Sequence, residues 1–385
     1  MKITKLETIP IKLKMATPFV ISNVTMDAVY YVIVKTTFDN GIIGFGEATP
    51  AWEVTGETYQ SVVGYFDLLL NKYLLGYTVL GKEVNSLEEI EKIIEDLDPT
   101  SSSQLIYGNS AAKAAFEQSL LDALGKSINK PIYEIFKAKN RPIPSSKTIS
   151  IDSVDKTLEK IQDSLNHSYS VIRLKVGVRE ACDLNNYERD VQSVIQGRDL
   201  IQKSGKDVKL AADANQGFGD VATTVEFCHK IEGCLDWLEQ PTIASNISAF
   251  KELKKLTSVP IMADEAAHSY EDVKNLLDLG GIDFINVKLM KAGGLLKSLK
   301  IIDLAQTYGV RCQIGSMIEN SLGVSMGCHA YLIRPNVIST DLNAYTFLAE
   351  NLGEGVKIEN DFVILDANPG CGIKINETLI NKYRV

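Results

Sequence analysis

The chain has 385 residues, with 40 basic against 49 acidic side chains and a formal charge of −9. Apolar residues make up 45%, enough to bury a sizeable core, which excludes a wholly disordered protein. The acidic balance argues against a nucleic-acid binder and against adhesion to an anionic membrane surface. No run of about 18 apolar residues occurs and no apolar segment backs the charged start, so the expectation is a cytoplasmic enzyme that is neither exported nor membrane-spanning.

In chain order, the first fifty residues read as strands. Val29 to Phe38 is rich in β-branched and aromatic residues, Asp39-Asn40-Gly41 follows, and Ile42 to Glu47 continues extended. An Asn-Gly pair between two such runs signals a hairpin, because both turn residues must accept positive φ. The glycines at 41, 44 and 46 are read as turn and bulge rather than a phosphate loop, since no helix follows them directly. Helical spacing runs from Thr58 to Leu97 and from Ser110 to Lys126, where Ala111, Ala112, Ala114, Ala115, Leu120, Leu121 and Leu124 predict one close-packing face. The six cysteines form no C-x-x-C, and neither H-E-x-x-H nor G-x-S-x-G is present, so disulfide scaffold, zinc protease and serine hydrolase start with little support.

Beyond about residue 145, short apolar runs alternate with helical stretches. The runs are Thr148–Ile151, Val171–Val176, Val208–Ala212, Leu235–Leu238, Pro260–Ala263, Phe284–Val287, Val310–Ile314 and Val337–Thr340. This alternation predicts an α/β fold with a parallel (β/α)₈-type barrel; a doubly wound open sheet competes, but lacks its Gly-rich first turn here. The expected organisation is an α+β cap over 1–125, a barrel over 126–350 and a tail over 351–385 returning to the cap.

Charged residues stand at the ends of consecutive barrel strands: Arg173 and Lys175, Asp213, Glu239, Asp264 and Lys288. The steps from Asp213 to Glu239, Glu239 to Asp264 and Asp264 to Lys288 are 26, 25 and 24 residues. Near-equal steps put these groups at equivalent places around the C-terminal mouth, where barrel enzymes do their chemistry. Three carboxylates from adjacent strands suit Mg²⁺, which prefers oxygen ligands. Lys175 and Lys288 flank them on roughly opposite strands and are the expected bases, with Arg173 as a permanent cation beside Lys175. Nearby positive charge is expected to lower the lysine pKa values. The bland alternative is a set of lysines simply paired with acids.

These segments, Arg173-Leu174-Lys175, Asp213-Ala214-Asn215-Gln216-Gly217, Leu238-Glu239-Gln240-Pro241, Ala263-Asp264-Glu265 and Asn286-Val287-Lys288 through Gly294, resemble the enolase superfamily. The likeness is nearest to its muconate-lactonising-enzyme subgroup and, within that, to dipeptide epimerases. It extends to Gly44-Phe45-Gly46-Glu47-Ala48 and to Pro369-Gly370-Cys371-Gly372. It implies a (β/α)₇β barrel under a cap built from both chain ends, Mg²⁺ held by Asp213, Glu239 and Asp264, and abstraction of the proton α to a carboxylate by Lys175 or Lys288 through an ene-diolate. It further implies that Asp341 and Asn343 meet a substrate ammonium, Asn343 standing where dipeptide epimerases carry a second Asp. By position Thr148, Arg173 and Ser316 line the substrate, while Glu319 is as readily structural. The loop near residue 24 carries no Lys or Arg, which departs from relatives that hold an acidic second residue. The expected partner is thus a small-molecule dipeptide, with self-association left open. A lyase or cycloisomerase of the same subgroup and a non-catalytic ligand-binding barrel are the alternatives.

Overall fold

The computed structural model describes the chain except residues 21–24, 72–77, 98–107, 168, 178–183 and 360. Most of the cap loop near residue 24, and Cys182, therefore lie outside the described residues. Strands β1 (Ile3–Val20), β2 (Thr25–Phe38) and β3 (Ile43–Ala48) form an antiparallel sheet in that order. The β2–β3 hairpin turns where Asn-Gly predicts: Gly41 sits at φ 81° and Phe38 N–H donates to the Ile42 carbonyl at 3.0 Å. Gly44 and Gly46 have a different reason. A Cβ on either would lie 1.9 or 1.8 Å from the backbone oxygens of Ser119 and Ala115, so β3 presses backbone-close onto a helix.

The cap continues through α1 (Trp52–Thr55), α2 (Tyr59–Asn71), α3 (Leu87–Glu95), α4 (Ser110–Ser127) and α5 (Ile132–Ile135). The predicted 58–97 helical stretch thus holds α2 and α3, with turns over residues 78–86 before α3. The helix that β3 touches is α4, and it is buried along its whole circumference from Ala111 to Gly125 rather than on the one predicted face. Three of its polar side chains meet, in the interior, backbone groups that would otherwise be orphaned. Glu117 accepts from Leu295 and Leu296 N–H, Asp122 from Phe45 and Cys371 N–H, and Gln118 from Glu47 N–H while donating to the Leu322 carbonyl.

After β4 (Ile143–Pro144), eight parallel strands alternate with helices. They are β5 (Ser146–Ile149), α6 (Val154–Leu165), β6 (Val171–Lys175), α7 (Leu184–Ser204), β7 (Lys209–Asp213), α8 (Val221–Lys230), β8 (Trp237–Glu239), α9 (Ser248–Leu256) and β9 (Ile261–Ala263). They continue as α10 (Tyr270–Leu279), β10 (Phe284–Val287), α11 (Leu289–Ala292), α12 (Leu295–Thr307), β11 (Arg311–Ile314), α13 (Ser321–Ile333) and β12 (Val337–Thr340). The strands pair in sequence order from β5 to β12, a nearly closed barrel of (β/α)₇β type. Side chains cross the seam between its ends: Thr340 Oγ1 donates to the Pro144 carbonyl at 2.5 Å and Asn343 Nδ2 to the Ser146 carbonyl at 2.8 Å. Period-2 alternation sorts the interior into layers. Val171, Ala211, Trp237 and Met262 pack together as an apolar layer, and two residues on along each strand stand Arg173, Asp213, Glu239 and Asp264.

The tail supplies β13 (Gly353–Glu354), β14 (Val356–Glu359), β15 (Phe362–Leu365), β16 (Lys374–Ile375) and α14 (Glu377–Lys382). Its hairpin β14–β15 pairs with the short β4 rather than with the N-terminal sheet. The tail reaches the cap through Lys12 N–H, which donates to the Tyr383 carbonyl, and through the Cys371–Asp122 bond. No helix among the described residues is long and apolar enough to cross a membrane.

Candidate active site

Strand register brings the charged ends together: Lys175 stands opposite Asp213, and Asp213 opposite Glu239. Asp213, Glu239 and Asp264 each offer a carboxylate oxygen within 4.8 Å of the others, and all three are buried. Lys175 Nζ donates to Asp213 at 2.6 Å and Lys288 Nζ to Asp264 at 2.7 Å. Lys175 ends β6 and Lys288 follows β10, so the three acid-bearing strands β7, β8 and β9 lie between them.

Burial and mutual repulsion dominate the acids. Burial, then the neighbouring Asp213 carboxylate, pushes Glu239 up to about 8 although Arg173 opposes this. Asp264 goes the other way: burial opposes ionisation, but the ammonium groups of Lys288 and Lys291 hold it far below the usual carboxylate range. Lys288 itself is raised, since Asp264, Glu265 and Glu239 together outweigh its burial. The fall expected from the sequence is therefore absent in the protein alone, because carboxylates, not cations, are its nearest charges. Three buried carboxyl groups, each offering an oxygen within 4.8 Å of the others, form a donor set that fits a hard divalent cation.

Several supporting residues escaped the sequence reading. Lys291 is fully buried and donates to both the carboxylate and the carbonyl of Asp264. Asn286 Nδ2 donates to Glu239 at 2.6 Å, while Asn215 accepts from Lys175 at 2.8 Å and donates to Glu265 at 3.0 Å. Gln240 Oε1 accepts the backbone N–H groups of Asp264 and Ala266. A signal existed for Asn286, which stands two residues before Lys288 on the same face of β10.

The candidate substrate residues divide. Thr148, Arg173, Ser316 and Asp341 line a cavity of about 530 Å³ between cap and barrel, together with Lys175, Lys288 and Glu265. Asn343 does not line it; it is buried at the barrel seam. Asp341 lines the cavity but is already engaged. Arg173 donates to it in a buried ion pair and also to Glu239 at 3.1 Å, and Thr148 donates to Asp341 at 3.1 Å. Ser316 donates to the Asp341 carbonyl at 2.8 Å. Glu319 is buried against Glu47, and burial followed by that neighbour pushes it up to about 8.

Residues 4–136 match the family "Mandelate racemase / muconate lactonizing enzyme, N-terminal domain", and residues 156–379 match "Enolase C-terminal domain-like". The chain belongs to the enolase superfamily. It is 30% identical to the N-succinyl-L-Arg/Lys racemase of Bacillus cereus, covering 100% of this chain and 98% of the relative, and the crystal structure of that racemase superposes with a TM-score of 0.89. It is 28% identical to the L-Ala-D/L-Glu epimerase of Bacillus subtilis over 97% of both chains. The dipeptide epimerase of Enterococcus faecalis, solved with Mg and the dipeptide L-Leu-L-Tyr, is 26% identical, covers 97% of this chain and 100% of that one, and has a TM-score of 0.83. As a member of the enolase superfamily with epimerase and racemase relatives, the chain is an enzyme of the isomerase class.

Proposed function

We propose that the protein inverts the α-carbon of an N-acylated amino acid, dipeptides included, by 1,1-proton transfer between Lys175 and Lys288. The observation that carries this reading is the pair of lysines standing on either side of one buried acidic triad. A carbon next to a carboxylate is very weakly acidic, so its deprotonation needs stabilisation of the charge that develops on the carboxylate oxygens. In this reading Asp213, Glu239 and Asp264 hold Mg²⁺, which when bound supplies Lewis-acid stabilisation of that charge. Lys175 Nζ takes the α-proton from one face and Lys288 Nζ delivers one to the other, or the reverse. A divalent cation held by Asp213, Glu239 and Asp264 would offset the negative charge that keeps Lys288 protonated. Lys291 and Asn286 keep Asp264 and Glu239 oriented, and the cavity walls exclude water from the exposed carbanion.

The relatives leave two forms of substrate. In the dipeptide form, Asp341 receives a free ammonium, as the sequence suggests. Its ion pair with Arg173 favours instead an acyl group without an ammonium, as in an N-succinyl amino acid, because Asp341 has already been neutralised. Incubating L,L-dipeptides and N-acyl-L-amino acids with the protein and Mg²⁺ in D₂O, with the α-proton followed by NMR, tests the reading. We expect exchange with inversion, faster for the N-acyl series. Absence of both across the two libraries would defeat it, and turnover by elimination or ring closure instead would favour the lyase or cycloisomerase alternative.

A further inference from the structure

The floor of the cavity and its roof differ in charge. On the floor, Arg173, Lys175 and Lys288 each have a carboxylate partner. On the roof, the cap contributes two carboxylates to the lining, Glu53 and Glu57. Glu57 is only 3% exposed and is spent on the start of α4, accepting from Ala111 and Ala112 N–H at 2.9 and 3.2 Å. Glu53, in the single turn α1, is half-buried, and among the described residues no hydrogen bond or ion pair engages it. The nearby cap cation Lys12 sits over the Tyr30 ring at 4.9 Å and is not part of the lining. Residues 21–24 include no Lys or Arg.

The same cavity is also lined by aromatic rings of the cap. Trp52 lines the cavity although 69% exposed, and Tyr30 and Tyr59 stack with ring centroids 4.9 Å apart. Aromatic faces beside a carboxylate attract a cation and repel an anion. Closing a neutral side chain over Glu53 strips water from that carboxylate without giving it a partner, which costs free energy. An acidic side chain adds repulsion to that cost. A long cationic side chain removes it.

We infer that Glu53, with Trp52 beside it in α1, selects substrates whose amino-acid side chain ends in a guanidinium or ammonium group. This deepens the racemase reading and rests on it for the orientation of the substrate, with its carboxylate on the floor and its side chain toward the cap. The cavity volume suits such a molecule, within the range of about 300–1,000 Å³ common for small-molecule sites.

The test separates binding from turnover. Calorimetry with Mg²⁺ present compares Nα-acetyl-L-arginine, Nα-acetyl-L-norleucine and Nα-acetyl-L-glutamate, which share one acyl group, on wild type, Glu53→Gln and Glu53→Lys. Deuterium exchange at the α-carbon is read on the same samples. The wild type is expected to bind the arginine compound about tenfold or more tightly than the norleucine compound. Glu53→Gln collapses that ratio toward one, and Glu53→Lys turns the preference toward glutamate. A cation preference lost in Glu53→Gln without any α-exchange in wild type would sink the racemase reading while supporting the selectivity of Glu53. Exchange with equal binding of arginine and norleucine compounds, or a preference that survives Glu53→Gln, would overturn the role of Glu53 while leaving the racemase reading standing. Failure to bind any of the three would also overturn it.

Discussion

At the scale of single residues, the site depends on groups that neutralise buried charge. Lys291 and Asp264 are both fully buried and bonded to each other. Replacing Lys291 by Met fills similar volume but leaves Asp264 short of one cation and its carbonyl short of a donor. Breaking one side of a buried pair costs about 3–5 kcal/mol, and this should appear as a lower urea midpoint with unchanged slope. Excess Mg²⁺ should recover part of the loss if the triad binds it; no change in midpoint without metal would show that Lys291 is not needed. The strand-end charges were legible because a two-residue period and a 24–26-residue step leave few other meanings. Lys291 was not, because it follows Lys288 in the short α11 and reaches Asp264 from a helix, where strand alternation gives no guide.

Between elements, cap and barrel are joined by acids of one lobe placed at helix starts of the other. Glu117 of α4 meets the first N–H groups of α12, and Glu47 of β3 accepts from Asn320 and Gly323 N–H at the start of α13. Helix N-termini offer unpaired N–H donors and a partial positive charge, which is why buried carboxylates are tolerated there. Glu117→Leu should cost about 1–3 kcal/mol by leaving those donors unsatisfied, measured by denaturant unfolding; a stability equal to wild type would mean that water replaces the carboxylate. Gly46→Ala should cost at least about 1–3 kcal/mol through overpacking, because its Cβ would meet the Ala115 carbonyl. The hairpin and the eight strands could be read from turn chemistry and alternation. The burial of α4 on every side could not: Glu117, Gln118 and Asp122 look like a solvent face until their partners, distant in sequence, are known.

Over the whole molecule, buried carboxyls set the pH response. Burial pushes Glu47 and Glu117 up to about 7 and Glu319 up to about 8, all above their value in an unfolded chain. The folded state therefore holds these protons more tightly, and their stabilising contribution, complete below about pH 4.5, is lost as pH rises through 7 to 8. For Glu47 it is on the order of 3 kcal/mol. With Mg²⁺ held saturating, Tm should fall between about pH 4.5 and 8, and Glu319→Gln should flatten the upper part of that fall; a Tm independent of pH across this window would contradict the assignment. The (β/α)₇β architecture and the family were legible in the order of strand-end motifs. The state of Asp341 was not, since its pairing with Arg173 joins β6 to the loop after β12 and is visible only once the barrel nearly closes. The central claim, that two bases act from opposite faces, is tested most directly by single-turnover deuterium exchange on each enantiomer of a reactive N-acyl amino acid with Lys175→Ala and Lys288→Ala. The account predicts that each variant loses inversion yet still exchanges the α-proton of one enantiomer, a different one in each. Exchange of the same enantiomer by both variants, or inversion surviving in either, would contradict it.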